Sequence, residues 1–282
     1  MKLRFSCSLD TNHIILLRKG NMSNEEETPQ EDQTTRPSDL VIMKNFLSRD
    51  FKATIMFGAR MFAAINGILF AFSTFFNPSL ALASYQRVLF AFGLSSVIRL
   101  SQRLGPVQFS KEYMINVVLE DSAHYMLYAC NFYTHKPTTI IASIPTLYCA
   151  LQASAFAGSM LAECSSSTWN LLKSQLIKMK EKQQQLLRVV ATAEIFVMPL
   201  VVVQLFTGQC GSLLTPLVYY QFLVLRYMSR RNPYVRNAFS EMKLVVNQMI
   251  YSQSCPGFVR SIVSKVMGLI EKMSPATYQP TS

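Results

Sequence analysis

Long, predominantly apolar runs alternate with short polar breaks along this chain. The runs occupy residues 53–76, 80–98, 113–133, 138–161, 189–206 and 213–228, and are 16 to 24 residues long. At 1.5 Å per residue such lengths bracket the roughly 20 residues that a helix needs to cross a ~30 Å hydrocarbon layer. The breaks are of two kinds. "NPS" at 77–79, "THKP" at 134–137 and "TGQCG" at 207–211 are tight turn sequences that permit little except an antiparallel helical hairpin. Longer connections, 99–112 and 162–188, separate the hairpins.

The pattern predicts an all-α, multi-pass membrane protein. Its membrane domain covers 51–228 as three hairpins, 53–98, 113–161 and 189–228, preceded by a disordered tail, 1–50, and followed by a basic amphipathic tail, 229–282. Two of the predicted helices are poor spanners. Residues 213–228 reach only about 24 Å, less than the ~27 Å core of a thin bilayer. Residues 80–98 carry Gln86 and Arg87 near their middle. Segments of this kind either cross or dip as wedges, so the pattern is compatible with three, four or six crossings.

Composition agrees with a membrane setting. Half of the residues are hydrophobic and only 15% are charged, against about 25% charged in ordinary soluble domains. Residues 20–40 are acidic and rich in Pro, Thr and Asn, with too little apolar surface to offset ordering. They include an Asn21-Met22-Ser23 acceptor sequon. The start of the chain is basic, but its longest apolar patch, 14–17, is too short for a signal-peptide core, and insertion is expected from the internal helices.

Charge position supplies an orientation. Residues 1–52 are neutral, with eight basic and eight acidic groups, so the net charge of +11 belongs to the remainder. Sixteen Lys and Arg residues lie in 99–112, 162–188 and from Arg226 onward, against Lys136 alone in the three short turns. Lys and Arg near span ends are retained on the cytoplasmic side. The basic connections and both tails are therefore expected in the cytosol and the turns in the lumen.

After residue 228 the period becomes amphipathic. Phe258, Val259, Ile262, Val263, Val266 and Ile270 share one half of a helical wheel, with Arg260 and Lys265 on the other. Val235, Ala238, Phe239, Met242, Val245, Val246, Met249 and Ile250 form a second apolar stripe. Together with Arg226, Arg230 and Arg231 at the predicted membrane exit, these residues are expected either to lie on an anionic cytosolic surface or to pack on each other. Residues 169–179 carry a narrower stripe, Trp169, Leu172, Leu176 and Met179, among lysines, which suits a membrane surface or a solvated linker helix equally.

The candidate chemistry is sparse. Glu120 and His124 lie four apart in "VVLEDSAHYMLYA", hence on one helical face, with Asp121 about 100° round. Acids inside a membrane helix cost ~2.5–3.5 kcal/mol on insertion scales and need partners. Two roles are open for them. They form a polar clasp with Arg60, Arg87 and Glu194, or they line a proton or transport path. Arg99 is a further possible counterion. The chain has no nucleophile elbow, no H-E-x-x-H and no phosphate-binding loop, and its six cysteines show no metal spacing and read as buried free thiols. No catalytic residue, metal, cofactor or small-molecule substrate is expected. Nucleic-acid binding is disfavoured because the aromatics of the basic tail sit on its apolar face and are not interleaved with Arg.

Several blocks carry a resemblance. "SYQR" at 84–87, "LEDSAHY" at 119–125, "EIFVMP" at 194–199, "LFTGQ" at 205–209, "LRYMSRRNPY" at 225–234 and "CPGFVR" at 255–260 together resemble the transmembrane protein 33 or Krüppel homologue 2 family. The similarity covers about residues 45–274, in the same order and spacing. It implies a non-enzymatic protein of the endoplasmic reticulum membrane and nuclear envelope. The partners it implies are reticulon-type and nuclear pore membrane proteins, with roles in tubular reticulum organisation, nuclear pore distribution and stress signalling, and a C-terminal amphipathic membrane-binding segment. The family is usually drawn with three spans, whereas the charge pattern favours an even number.

Overall fold

The computed structural model describes residues 38–208, 212–229 and 232–251, together with Gly257, Arg260, Ser261 and 263–265. The described regular structure is entirely helical. In chain order it comprises α1 (Asp39–Arg49), α2 (Phe51–Phe76), α3 (Pro78–Leu104), α4 (Lys111–Leu119), α5 (Asp121–Phe132), α6 (Thr139–Ala162), a 3-10 turn (Ser167–Trp169), α7 (Asn170–Glu181), α8 (Gln183–Phe206), α9 (Thr215–Met228) and α10 (Tyr234–Ile250).

Side-chain caps set several of these boundaries. Asp50 accepts from the Ala53 amide at 3.0 Å and starts α2. Asn77 ends α2 and caps α3, accepting from Leu80 N at 3.2 Å, while Pro78 takes the first helical turn, where its missing N–H costs nothing. One residue thus reverses the chain, and α2 packs along α3.

Four helices, α2, α3, α6 and α8, are long and apolar enough to cross a membrane. α5 and α9, at 12 and 14 residues, rise only about 18 and 21 Å. The expected 113–133 helix is one of the corrections. It breaks at Glu120, whose backbone is extended (φ −91°, ψ 124°), into α4 and α5. The break lets the Glu120 carboxylate pair with Arg103 and puts Asp121 in the first turn of α5, where the helix dipole favours an acid. His124 meets the Val118 carbonyl, which the break frees, with a ring nitrogen at 2.6 Å.

The second expected hairpin also differs from a simple pair. α5 packs against α3 and α9, while α6 packs against α2, α7 and α8. Residues 39–49, expected in the disordered tail, instead form α1. It buries no residue fully, and three ties hold it to the end of α6: Arg49 to Glu163 at 2.8 Å, Asp39 to the Ser165 amide at 3.3 Å, and the Phe46 ring against Phe156. Such distant contacts leave no mark in the composition of the segment itself.

Long-range bonds define the two ends of the bundle. Tyr85 near the start of α3 donates to Phe132 O at the end of α5, Asn131 donates to Thr215 O at the start of α9, and Gln204 near the end of α8 donates to Thr138 beside α6. These bonds gather the three short connections at one end. At the other, Arg103 meets Glu120, Arg49 meets Glu163, and Ser229 after α9 donates to Asp121 at 2.7 Å. α1, α4, α7 and α10 all attach at that second end, where the basic connections lie.

One internal proline is used rather than merely tolerated. Pro145 cannot donate to Ile141 O, and Tyr128 Oη donates to that carbonyl instead, at 2.9 Å. Beside the Pro199 site in α8, Tyr219 Oη donates to Glu194 O at 2.6 Å. Tyr128, Phe132, Tyr219 and Phe222 pack ring on ring with centroids 4.8–6.1 Å apart, in the range where aromatic pairs attract.

Candidate functional site

α8 and α9 each present one charged residue on an otherwise uncharged buried stripe. In α8 the stripe is Val190, Ala191, Glu194, Val197 and Val201; in α9 it is Tyr219, Phe222, Leu223 and Arg226. Both follow the i, i+3, i+4, i+7 spacing that keeps residues on one helical face. The packing of α8 on α9 therefore brings the carboxylate and the guanidinium together away from solvent.

Glu194 is 0% exposed and Arg226 1%. Arg226 Nε donates to Glu194 Oε2 at 3.1 Å, and its Nη1 lies 3.6 Å from Asp121 Oδ1. Tyr125 Oη donates to Glu194 Oε1 at 3.1 Å, and its ring carries the Arg226 guanidinium at 4.7 Å from the centroid. Ser229 secures Asp121, and His124 Nδ1 lies 3.9 Å from the same Asp121 oxygen. One arginine thus joins α5, α8 and α9. A buried charge is tolerable only when paired and hydrogen-bonded, and each charged member here has a counterion.

Two buried nitrogens of the cluster, Arg226 Nη1 and His124 Nδ1, make no hydrogen bond. The other ring nitrogen of His124, Nε2, faces Val118 O. Donation from Nε2 places the lone pair of a neutral ring at Nδ1; a second proton would let Nδ1 donate toward Asp121.

The residues expected in the clasp are distributed as follows. Asp121, His124 and Glu194 come together. Glu120, 5% exposed, pairs with Arg103 at the edge of the cluster. Arg60 lies in α2, where its Nη2 contacts Met56 Sδ at 3.7 Å, and it does not reach these acids. Arg87 stands on the exposed face of α3, nearly opposite the buried Tyr85, Val88, Leu89 and Phe92. Two residues from Tyr85 is about 200° of helical turn, which carries Arg87 away from the core.

Arg226 is a further correction. It was expected on the membrane surface with Arg230 and Arg231, but its helical register and the charge of Glu194 hold it inside the bundle. Arg230, Arg231, Phe258, Val259, Ile262, Val266 and Ile270 lie outside the described residues. Of the remaining tail positions, Arg260 and Lys265 are exposed and Val263 is half-buried, and Arg260 Nε donates to Ile250 O at 3.0 Å. The stripe at 235–250 is partly used within the chain. Val235 and Ala238 pack against Ala191 and Ile195 of α8, while Leu244 and Val245 remain exposed. Among the described residues, no group of three or more His, Cys, Asp or Glu side chains is placed to hold a metal ion.

A family model described as Transmembrane protein 33/Nucleoporin POM33 matches residues 35–276. The chain belongs to this family. Transmembrane protein 33 of Rattus norvegicus is 40% identical over 226 residues, covering 79% of this chain and 89% of the relative. Krueppel homolog 2 of Drosophila melanogaster is 33% identical over 193 residues, 68% of this chain and 69% of the relative. The transmembrane protein 33 homolog of Caenorhabditis elegans is 30% identical over 237 residues, 83% of this chain and 85% of the relative. No solved structure matches.

In this member of the transmembrane protein 33 family, the sequence reading missed Arg226, Arg103, Tyr125 and Tyr219 as partners of the acids. The signal for Arg226 was present in the Tyr219, Phe222, Leu223 spacing, which projects onto position 226. For Arg103 no local signal exists, because its pairing depends on the break at Glu120.

Proposed function

We propose that this transmembrane protein 33 family member is a non-enzymatic organiser of membrane shape in the endoplasmic reticulum and nuclear envelope. The observation that carries the proposal is the asymmetry of the bundle. Among the described residues, one end holds only short turns, whereas α1, α4, α7 and α10 are all attached at the other, beside the basic connections. A molecule that occupies more area in one leaflet than in the other favours curved membrane. The excess of Lys and Arg supports a cytosolic position for the wider end, where each basic group near anionic headgroups contributes about 1 kcal/mol. The family description, with its nucleoporin relative, supports placement at the nuclear envelope. Reticulon-type and nuclear pore membrane proteins fit as partners, since a shaping role requires local concentration with other curved proteins, and stress signalling fits a reporter of membrane state.

Closure of the charge cluster favours a structural clasp over a proton-coupled path. Glu194 and Arg226 are buried together, with Arg226 Nε and Tyr125 Oη both donating to the Glu194 carboxylate and Tyr219 Oη held on the Glu194 backbone carbonyl. The full chain reconstituted into anionic liposomes should reduce vesicle diameter or draw tubules as protein density rises. Vesicles of unchanged diameter would refute the shaping role, and a pH-driven flux abolished by Glu120→Gln in folded protein would favour transport.

A further inference from the structure

α4 has no buried residue, although six of its nine residues are apolar. Tyr113 and Val117 are half-buried on the side toward the bundle, while Met114, Ile115, Val118 and Leu119 are 56%, 58%, 45% and 61% exposed. The preceding loop continues this surface with Val107 and Phe109, exposed by 72% and 100%. Phe109, Lys111, Met114 and Ile115 border an open hollow of about 610 Å³. This much contiguous apolar surface is unusual on a solvated protein and marks an interaction site.

Its position selects the occupant. α3 is a candidate membrane span that ends at Leu104, and the Arg103–Glu120 pair ties the far end of α4 to the last turn of α3. The extended backbone at Glu120 ends the helical path of α5, so α4 does not continue that helix. The segment is therefore held at the level where a spanning helix leaves the hydrocarbon. Lys111 and Glu112 open α4 and balance in charge, and the neighbouring last turns of α3 supply Arg99 and the Glu120-paired Arg103. Lys111 falls within the exposed apolar face, and a lysine stem can lie along apolar surface while its ammonium reaches the phosphates.

We propose that residues 107–119 form a second membrane anchor, with the loop and α4 lying in the plane of the cytosolic leaflet and Phe109, Met114, Ile115, Val118 and Leu119 below the headgroups. The occupant is the lipid surface itself. Burial of this apolar surface at the lipid interface is what would hold the segment, since binding strength scales with buried apolar area. The anchor is separate from the C-terminal amphipathic tail; it rests on α3 spanning the membrane with its C-terminal end on the cytosolic side, whether or not the protein shapes the membrane.

The test uses the full chain in phosphatidylcholine and phosphatidylserine vesicles, with Trp169→Phe removing the one native tryptophan. Single reporters are placed by Phe109→Trp, Ile115→Trp and Asn116→Trp, with Phe72→Trp in α2 reporting the span. Emission from positions 109 and 115 should shift to the blue, lose intensity with lipids brominated near the glycerol end, and resist iodide, while position 116 loses intensity with iodide. Iodide quenching at 109 and 115 equal to that at 116, with bromolipid quenching of position 72 retained, would overturn the anchor and leave the membrane location standing. Loss of bromolipid quenching at position 72 as well would overturn both.

Discussion

The α5–α8–α9 side of the bundle and the α2–α3–α6 side achieve cohesion in opposite ways. The first joins its helices through Arg226, Glu194 and Asp121, with tyrosine hydroxyls completing the bonds. The second relies on close approach. At Gly67 of α2 a methyl group would overlap the Thr146 side chain of α6, so only glycine lets these helices meet at this distance. The charged side specifies which helices meet, because misplacing one partner leaves a bare charge in a medium without water. The glycine side tolerates any neighbour that is small enough.

That difference can be broken experimentally. Arg226→Met should have the largest effect, lowering stability by about 3–5 kcal/mol, since it leaves buried Glu194 uncompensated. The double change Arg226→Met, Glu194→Met should recover most of the loss, with unfolding in detergent as the readout. A single change as mild as an ordinary apolar swap would end the distinction between the two sides. Gly67→Ala should follow, at about 1–3 kcal/mol for overpacking, with partial relief from Thr146→Ala. Tyr128→Phe removes the donor that replaces the missing proline N–H at Ile141 O and should cost about 1 kcal/mol. Smallest is Arg49→Ala. The side chains of Arg49 and Glu163 are 64% and 35% exposed, and such pairs contribute about 0.2–1 kcal/mol.

The long elements were legible in the hydrophobic pattern because a spanning helix must carry its whole apolar length locally. α2, α3, α6 and α8 follow expected segments, with α8 beginning earlier, at Gln183, because its first turns are polar yet helix-forming. Asp121, His124 and Glu194 were recognisable as acids and a histidine out of place in apolar runs. Arg60 and Arg87 were placed with them on charge alone, and helical phase separates Arg87 from the cluster. The break at Glu120 was not legible, since the apolar run continues through it and the gain from the Arg103 pair is tertiary. α1 escaped notice for the same reason: its holding contacts come from residues more than a hundred positions away.

The proposed function requires the wider, basic end of the bundle to face the cytosol. Glycosylation mapping in microsomes tests it directly, with an acceptor sequon carried in an inserted loop either in the α8–α9 turn near Gly208 or in the connection near Lys182. Glycan is expected at the turn and none at the connection. Glycan added near Lys182, with the turn unmodified, would contradict it.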